Sequence, residues 1–471
     1  MSLASLVALL GRTPPWLREL LPILVLLVVV VTIVRRLPKV DLGHSPQFMA
    51  RRRWNWLAVG LTYAFLYMGR YNLTVAKNAL GDRLTTEDFS AIFGVGTFVY
   101  GFSFVLNGPL TDRFGGRATI IVSAAGVALT NLAMGTALDH HSKGPLLSLL
   151  LPLYAVNMYF QSFGAVSIVK VNAAWFHLRE RGTFGGIFGI LISLGIYFAY
   201  DWNRLIVEHI RVSWAFYVPA VILLGFVALD AFLVRDTPGE AGQADFDPGD
   251  ASSGDDGPRL GPVEVGKRML RDPVILTIGA VEFCSGYVRN AIMQFFPIFA
   301  KDTGSSQFVY RHWGMFLCLA GITGGMVAGV ISDRVFGSRR GPVATVLYGI
   351  LLAGALVSFV TLTTPLIGVV MLAMTLAIIG VHGMLSGTAS MDFGGKRNVG
   401  VAVGIIDGLV YLGTGTVSLI LGQVLPTGEM RKSAAAWSPW PLVILPAAAL
   451  GLVLATRLWN ARPKGAQAAG H

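Results

Sequence analysis

The sequence predicts an all-α membrane protein with twelve core helices in two pseudo-symmetric halves of six, preceded by one extra hydrophobic segment. Three observations predict it. The chain of 471 residues is 54% hydrophobic and 13% charged, against roughly 25% charged in a soluble domain, so it has too little polar surface to face water all round. Apolar runs of about 20 residues, the length that crosses a bilayer, recur along the chain. Landmarks in the first six runs return in the last six at a nearly constant offset.

The core runs are 54–78, 88–110, 116–138, 147–171, 182–203, 214–234, 273–299, 311–332, 341–362, 365–389, 399–424 and 439–459. A further run, Leu20 to Val34, is short for a span. Its length suits a signal-peptide core, but Arg35, Arg36 and Leu37 follow it where small residues would mark a cleavage site. It is read as a retained helix with an outside N-terminus, with a surface-lying helix as the alternative. If the stretch before residue 54 is inside, loops on that side carry 23 Lys and Arg and the opposite loops carry 9. The positive-inside rule then places both core ends in the cytoplasm of a multi-pass cell-membrane protein, the inner membrane in a Gram-negative source.

The formal charge of +11 is thereby explained by topology, with no nucleic-acid partner expected; the bilayer is the partner. Cys284 and Cys318 both lie in apolar runs, so they read as small packing residues, with no disulfide framework or metal site. No hydrolase triad, P-loop or metal cluster stands out, so an enzyme, a cofactor and ATP hydrolysis by this chain are not expected.

Residues 236–266 are rich in Gly, Pro, Ser and Asp and nearly free of large apolar side chains. Such a stretch cannot offset its ordering entropy and is expected to be a flexible cytoplasmic linker. The expected organisation is an N-terminal segment 1–50, a six-helix half 51–235, a linker 236–270, a second half 271–460 and a tail 461–471.

The halves echo each other. Asp112 and Asp333, each followed by arginine, close the second and eighth runs. Arg70 has its counterpart in Arg289, and Arg181 in Arg397, and the spacing within all three pairs is nearly the same. Transporters often carry such repeats, with the substrate site between them near the midplane.

Arg70 and Arg289 lie at equal depth in runs that begin at 54 and 273. A charged side chain at a helix centre costs about 2.5–3.5 kcal/mol on insertion scales, so two at equal depth call for a reason. Paired guanidiniums facing each other across the halves suit a doubly charged oxyanion, which each can bind through two parallel hydrogen bonds. Snorkelling to the outer headgroups is the alternative. Glu282 lies two helical turns before Arg289 and Lys77 two turns after Arg70, so each shares a face with its arginine. Glu282 is a candidate partner of Arg289 or a proton acceptor. Asp407 and Lys170 are candidates for the same coupling or ion-pair roles, and His382 can titrate. Glycines 182, 185, 186 and 189 in the fifth run and 400, 404 and 408 in the eleventh give smooth faces for close packing.

Gly108-x-x-x-Asp112-Arg113-x-Gly-x-Arg117 resembles the signature of the major facilitator superfamily between core helices two and three. There Gly108 permits close approach, Asp112 can face the positive N-terminus of a neighbouring helix, and Arg113 and Arg117 can bridge loops. The resemblance implies a cytoplasmic latch, repeated at Asp333 and Arg334. Tyr63-Ala-Phe-Leu-Tyr67-Met-Gly-Arg70-Tyr71-Asn72, Tyr100-Gly-Phe-Ser, Glu180-Arg181-Gly182 and Met391-Asp392-Phe-Gly-Gly-Lys396-Arg397 resemble the organophosphate:phosphate antiporters within that superfamily. The similarity spans about residues 54–235 and 270–460. It implies alternating-access exchange of a small phosphorylated anion for inorganic phosphate. Arg70 and Arg289 would hold the phosphoryl group, with Tyr63, Tyr67, Tyr100 and Tyr287 around it. The same family includes sugar-phosphate sensors with a signalling partner, and the wider superfamily includes exporters of other acidic molecules.

Three positions depart from the glycerol-3-phosphate transporters. Phe104 stands where they carry lysine, Ile192 where they carry histidine, and Gly286 where they carry tyrosine. The phosphate-reading pair is kept, while the groups that read the rest of the substrate differ.

Overall fold

In the computed structural model, residues 28, 32, 42–140, 146–177, 181–246, 262–336 and 340–460 are described. Each of the twelve core runs corresponds to a helix or most of one. The first half holds α1 (Pro46–Leu80), α2 (Thr86–Phe114), α3 (Gly116–His140), α4 (Leu147–Trp175), α5 (Arg181–Tyr197) and α6 (Trp214–Leu233). The second holds α7 (Pro273–Met293), α8 (Trp313–Phe336), α9 (Arg340–Thr361), α10 (Ile367–Leu385), α11 (Gly404–Val424) and α12 (Pro439–Arg457). α10 and α11 are the two apolar spans of one helical stretch, Ile367–Val424. Gly368 at its start packs on Ser306, and Gly422 near its finish packs on Ser90, so both ends reach the same side.

Local chemistry sets several boundaries. Pro46 opens α1 with Ser45 as cap, its hydroxyl accepting from the Phe48 N–H at 3.1 Å. α2 opens on a reciprocal capping box between Thr85 and Asp88, and Gly115 ends it at φ 85°, a conformation that favours glycine. α5 continues through a wide π turn, Phe198–Trp202, into a short helix, Asn203–His209.

Among the described residues, nine helices are long and apolar enough to cross a membrane. α1 and α7 fall outside that group because they carry the polar residues of the site. α8 shows a shorter apolar stretch, Trp313–Gly324.

The halves meet along α2 with α11 and α5 with α8. A Cβ on Gly101 would lie 3.0 Å from the Gly408 carbonyl oxygen, and one on Gly415 would lie 3.1 Å from that of Gly94. Two levels of glycine-on-backbone contact thus bring α2 and α11 together, as small faces allow. Gly404 meets Phe104 in the same seam, as its spacing anticipates. Gly189 of α5 has open space around it, and the side chains of 181–188 lie outside the described residues.

The expected linker is folded at both described ends. Phe246 sits against His44 and Phe48, with ring centroids 4.9 and 5.6 Å apart, and Pro262–Met269 forms a helix whose Met269 packs with Val401 and Ile405. The expected span 20–34 lies outside the described residues except Val28 and Thr32, which are helical.

Candidate anion site between the halves

Arg70 is fully buried. Its guanidinium donates to the Tyr411 hydroxyl at 3.2 Å, the Tyr100 hydroxyl at 3.0 Å and Gln161 Oε1 at 3.1 Å. It lies over the rings of Tyr100 and Tyr67, at 4.4 and 4.7 Å from their centroids. None of these partners is a carboxylate, so the positive charge is solvated by dipoles and ring faces, with no carboxylate in contact with it among the described residues.

The backbone beneath Arg70 is fixed just as closely. Gln161 Nε2 donates to the Leu66 carbonyl, Asn203 to Met68, Asn131 and Asn157 to Gly69, and the Tyr154 hydroxyl to the Arg70 carbonyl itself. Side chains of α3, α4 and the α5 extension thereby pin one turn of α1.

Arg289 faces the same place from the other half. Its guanidinium carbon lies 6.0 Å from the Tyr411 ring centroid and that of Arg70 lies 5.9 Å from it, so both cations converge on one tyrosine. Among the described residues Arg289 makes no hydrogen bond and no carboxylate contact, leaving its donors available. The cavity between them is also lined by Tyr71, Thr97, Asn290 and Gln294, and its volume of about 10 Å3 is roughly the space one water needs. Phosphate is larger, so side chains or helices must move apart to admit it.

The end of the molecule opposite the linker is closed. Thr74 of α1 hydrogen-bonds Gln294, and the Tyr200 hydroxyl donates to Gln294 Oε1 at 2.9 Å. Asp201 in the π turn of α5 accepts the Gly314 and Met315 N–H groups at 2.9 and 3.0 Å, capping the start of α8. Arg431, before α12, reaches Asp82 at 2.5 Å and Asp302 at 3.9 Å.

Other candidate residues fall in different places. Tyr63 packs edge-on against Tyr67 at 5.4 Å, one layer below Arg70. Tyr287 is only partly buried and does not line the cavity. Gly286 explains the missing tyrosine: a Cβ there would collide with the Val410 carbonyl oxygen, so α7 and α11 touch backbone to backbone. Phe104 packs on Tyr100 and Tyr411, at 4.8 and 5.9 Å, inside the α2–α11 seam, and Ile192 packs against the core.

Several expected roles are corrected. Glu282 pairs with His382, whose Nδ1 lies 2.9 Å from Oε2, and not with Arg289; α10 brings the imidazole within reach, whereas Arg289 lies two turns further along α7. Lys170 takes the ion-pair alternative, meeting Asp112 at 2.6 Å, both about two-fifths exposed at the linker end. The helix N-terminal position expected for Asp112 is filled, at the start of α3, by another acid. Asp236, which no motif marks, takes that position: it accepts the Arg117 N–H at 2.8 Å at the start of α3. Burial pushes the Asp236 carboxyl above its usual range, and the backbone N–H groups of Arg117 and Gly116 oppose the shift.

Lys77 is buried towards the far end near Asp302, away from the cavity lining. Asp407 lies close enough to His382 to interact with it electrostatically. Arg117 also donates to the Ala231 carbonyl at 2.6 Å, and Arg113 lies against Phe114, so the signature loop ties α3 to α6 within one half. Gly108 is a buried residue of α2. The side chains of Asp333 and Arg334 on α8 lie outside the described residues.

Residues 59–418 match the Major Facilitator Superfamily. The chain belongs to that superfamily. As a major facilitator protein it is 23% identical over 427 residues to a glycerol-3-phosphate transporter of Bacillus subtilis, covering 86% of this chain and 91% of that one. It is 25% identical over 435 residues to the membrane sensor protein UhpC of Salmonella typhimurium, covering 87% and 92%. It is 23% identical over 374 residues to a probable sulfoacetate transporter of Cupriavidus necator, covering 76% and 83%. A solved bacterial homologue of the human lysosomal transporter Spinster, inward-facing and unoccupied, superposes with a TM-score of 0.64 at 13% identity, covering 88% of this chain and 97% of that one. That likeness speaks for the fold.

No charge or motif marks Gln161 and Tyr411 in the sequence. Both fall on polar stripes at helical spacing, Asn157 with Gln161 on α4 and Tyr411 with Thr414 and Ser418 on α11.

Proposed function

We propose that this chain is a secondary transporter that carries a small phosphorylated or related oxyanion in exchange for inorganic phosphate, by rocking its two halves about the cavity between Arg70 and Arg289. The carrying observation is the convergence of two guanidiniums, one from each half, on one tyrosine, with no carboxylate in contact with either among the described residues. A buried cation without a counter-charge is costly, and a dianion offsets that cost only when it touches both halves at once. Binding then draws the halves together, which is the differential affinity that alternating access needs.

The relatives named for glycerol-3-phosphate and sulfoacetate transport support an oxyanion headgroup. The basic bias of the linker end supports a cytoplasmic location for that end, and on that reading the closed far end corresponds to a carrier shut towards the outside.

Proteoliposomes loaded with phosphate test the reading. Labelled phosphate, glycerol phosphate or hexose phosphate should enter against loaded phosphate and fail to enter empty vesicles. Vesicles that show no phosphate-dependent uptake of any of these would remove the exchange reading. Tight binding without flux would turn it into a sensor of the same ligand class.

A further inference from the structure

Below the anion cavity, on the same face of α7, sits a second polar centre. Glu282 is fully buried, and two turns of helix place it about 10 Å from Arg289 towards the linker end. One carboxylate oxygen meets His382 Nδ1 at 2.9 Å, and the other is buried, with the Ser285 hydroxyl beside the carboxylate. His382 is about a quarter exposed, so the imidazole connects the buried acid to a less enclosed space.

Among the described residues the groups facing this pair are few. α7 brings Arg289, Cys284 and Ser285, whose buried hydroxyl lies against the Glu282 carboxylate. α9 brings Tyr348, whose hydroxyl donates to the Val281 carbonyl at 2.7 Å, and α11 brings Asp407. The one charged residue of α12, Arg457, is exposed at its end. Arg289 is therefore the cation that acts on Glu282 among the described residues, and it is also one of the two proposed anion ligands.

Resting on the proposed anion site, we propose that Glu282 and His382 hold one proton between them, and that this proton is bound and released together with the anion at Arg289. The physics is a competition for one positive charge. With the anion site empty, the Arg289 charge acts on the Glu282 carboxylate from about two turns of helix away, without touching it. A bound dianion takes up that charge, and the carboxylate then needs a proton shared with the imidazole. Anion and proton thus favour each other, as linkage requires. The step makes and breaks only bonds to hydrogen: the proton comes from water on one side, rests on the pair, and returns to water on the other. The transporter then moves its anion with a proton in addition to any exchange for phosphate.

The test is phosphate binding to purified protein at a series of pH values, with proton uptake read by an indicator dye in weak buffer. Phosphate titrates identically in every sample, so differences between proteins belong to the pair. Wild-type affinity should fall with rising pH by up to about tenfold per unit more steeply than in Glu282→Gln, with about one more proton taken up per site. His382→Asn should flatten the profile in the same way, which guards against a misfolded glutamine variant. If both variants bind phosphate with the wild-type slope and proton count, the proton site is overturned while the anion site stands. If the wild-type protein binds no phosphate, both fall.

Discussion

Arg70 illustrates how much structure one buried charge recruits. Three polar side chains, two ring faces and five donors to the carbonyls of its own helix hold it in place. Tyr411 is the residue through which the two halves share that cation. Removing its hydroxyl in Tyr411→Phe deletes a hydrogen bond to a charged donor, worth about 1.5–3 kcal/mol, and is expected to lower phosphate exchange at least about tenfold while the protein folds normally. Initial exchange rates at subsaturating phosphate check this; an unchanged rate would remove Tyr411 from the site. The arginines are legible in the sequence because a charge inside an apolar run stands out by its cost. Gln161 and Tyr411 are not, because uncharged polar residues are frequent in these helices and their facing depends on packing. The Glu282–His382 pairing is hidden for a similar reason. Sequence spacing puts Glu282 and Arg289 on one face, and only the position of α10 shows which partner comes within hydrogen-bond reach.

At the scale of elements, the helices are legible from apolar runs, and the seams between them from glycine spacing. Their fine geometry is not. Gly286 reads in the sequence as a lost tyrosine, and the structure shows a backbone contact that leaves no room for any side chain. Gly286→Ala should force α7 and α11 apart and lower the melting temperature in detergent, with a cost of about 1–3 kcal/mol from overpacking; an unaltered melting temperature would mean the seam yields freely. The far-end closure makes a second prediction. Asp201 caps α8 from α5, and the cap bridges the halves, so Asp201→Ala should favour the far-end-open arrangement. A cysteine introduced at Thr97, inside the cavity, in a background lacking Cys284 and Cys318, should then react several-fold faster with an impermeant thiol reagent from that side. Equal reactivity in both backgrounds would show that the cap does not hold the gate. By comparison, Arg431 with Asp82 is a surface pair, and such pairs contribute about 0–1 kcal/mol.

For the whole molecule, the nearly constant spacing between paired landmarks already implies two halves around a shared centre, and the superfamily match agrees. What the repeat does not convey is how closed that centre is. A cavity of about 10 Å3 with a sealed far end describes a carrier whose halves have already met above the site. The linker is likewise more than a tether, since Asp236 and Phe246 tie its beginning to the N-terminal half. The cargo class follows from the charge balance at the centre: two cations, no acid in contact with either among the described residues, and aromatic walls.

The most direct measurement is equilibrium binding of phosphate to the purified protein, wild type against Arg70→Lys and Arg289→Lys. An ammonium keeps the charge and loses the planar fork, so each variant should bind at least about tenfold more weakly, and the wild type should saturate at one phosphate per chain. Equal affinity in all three proteins would contradict the account.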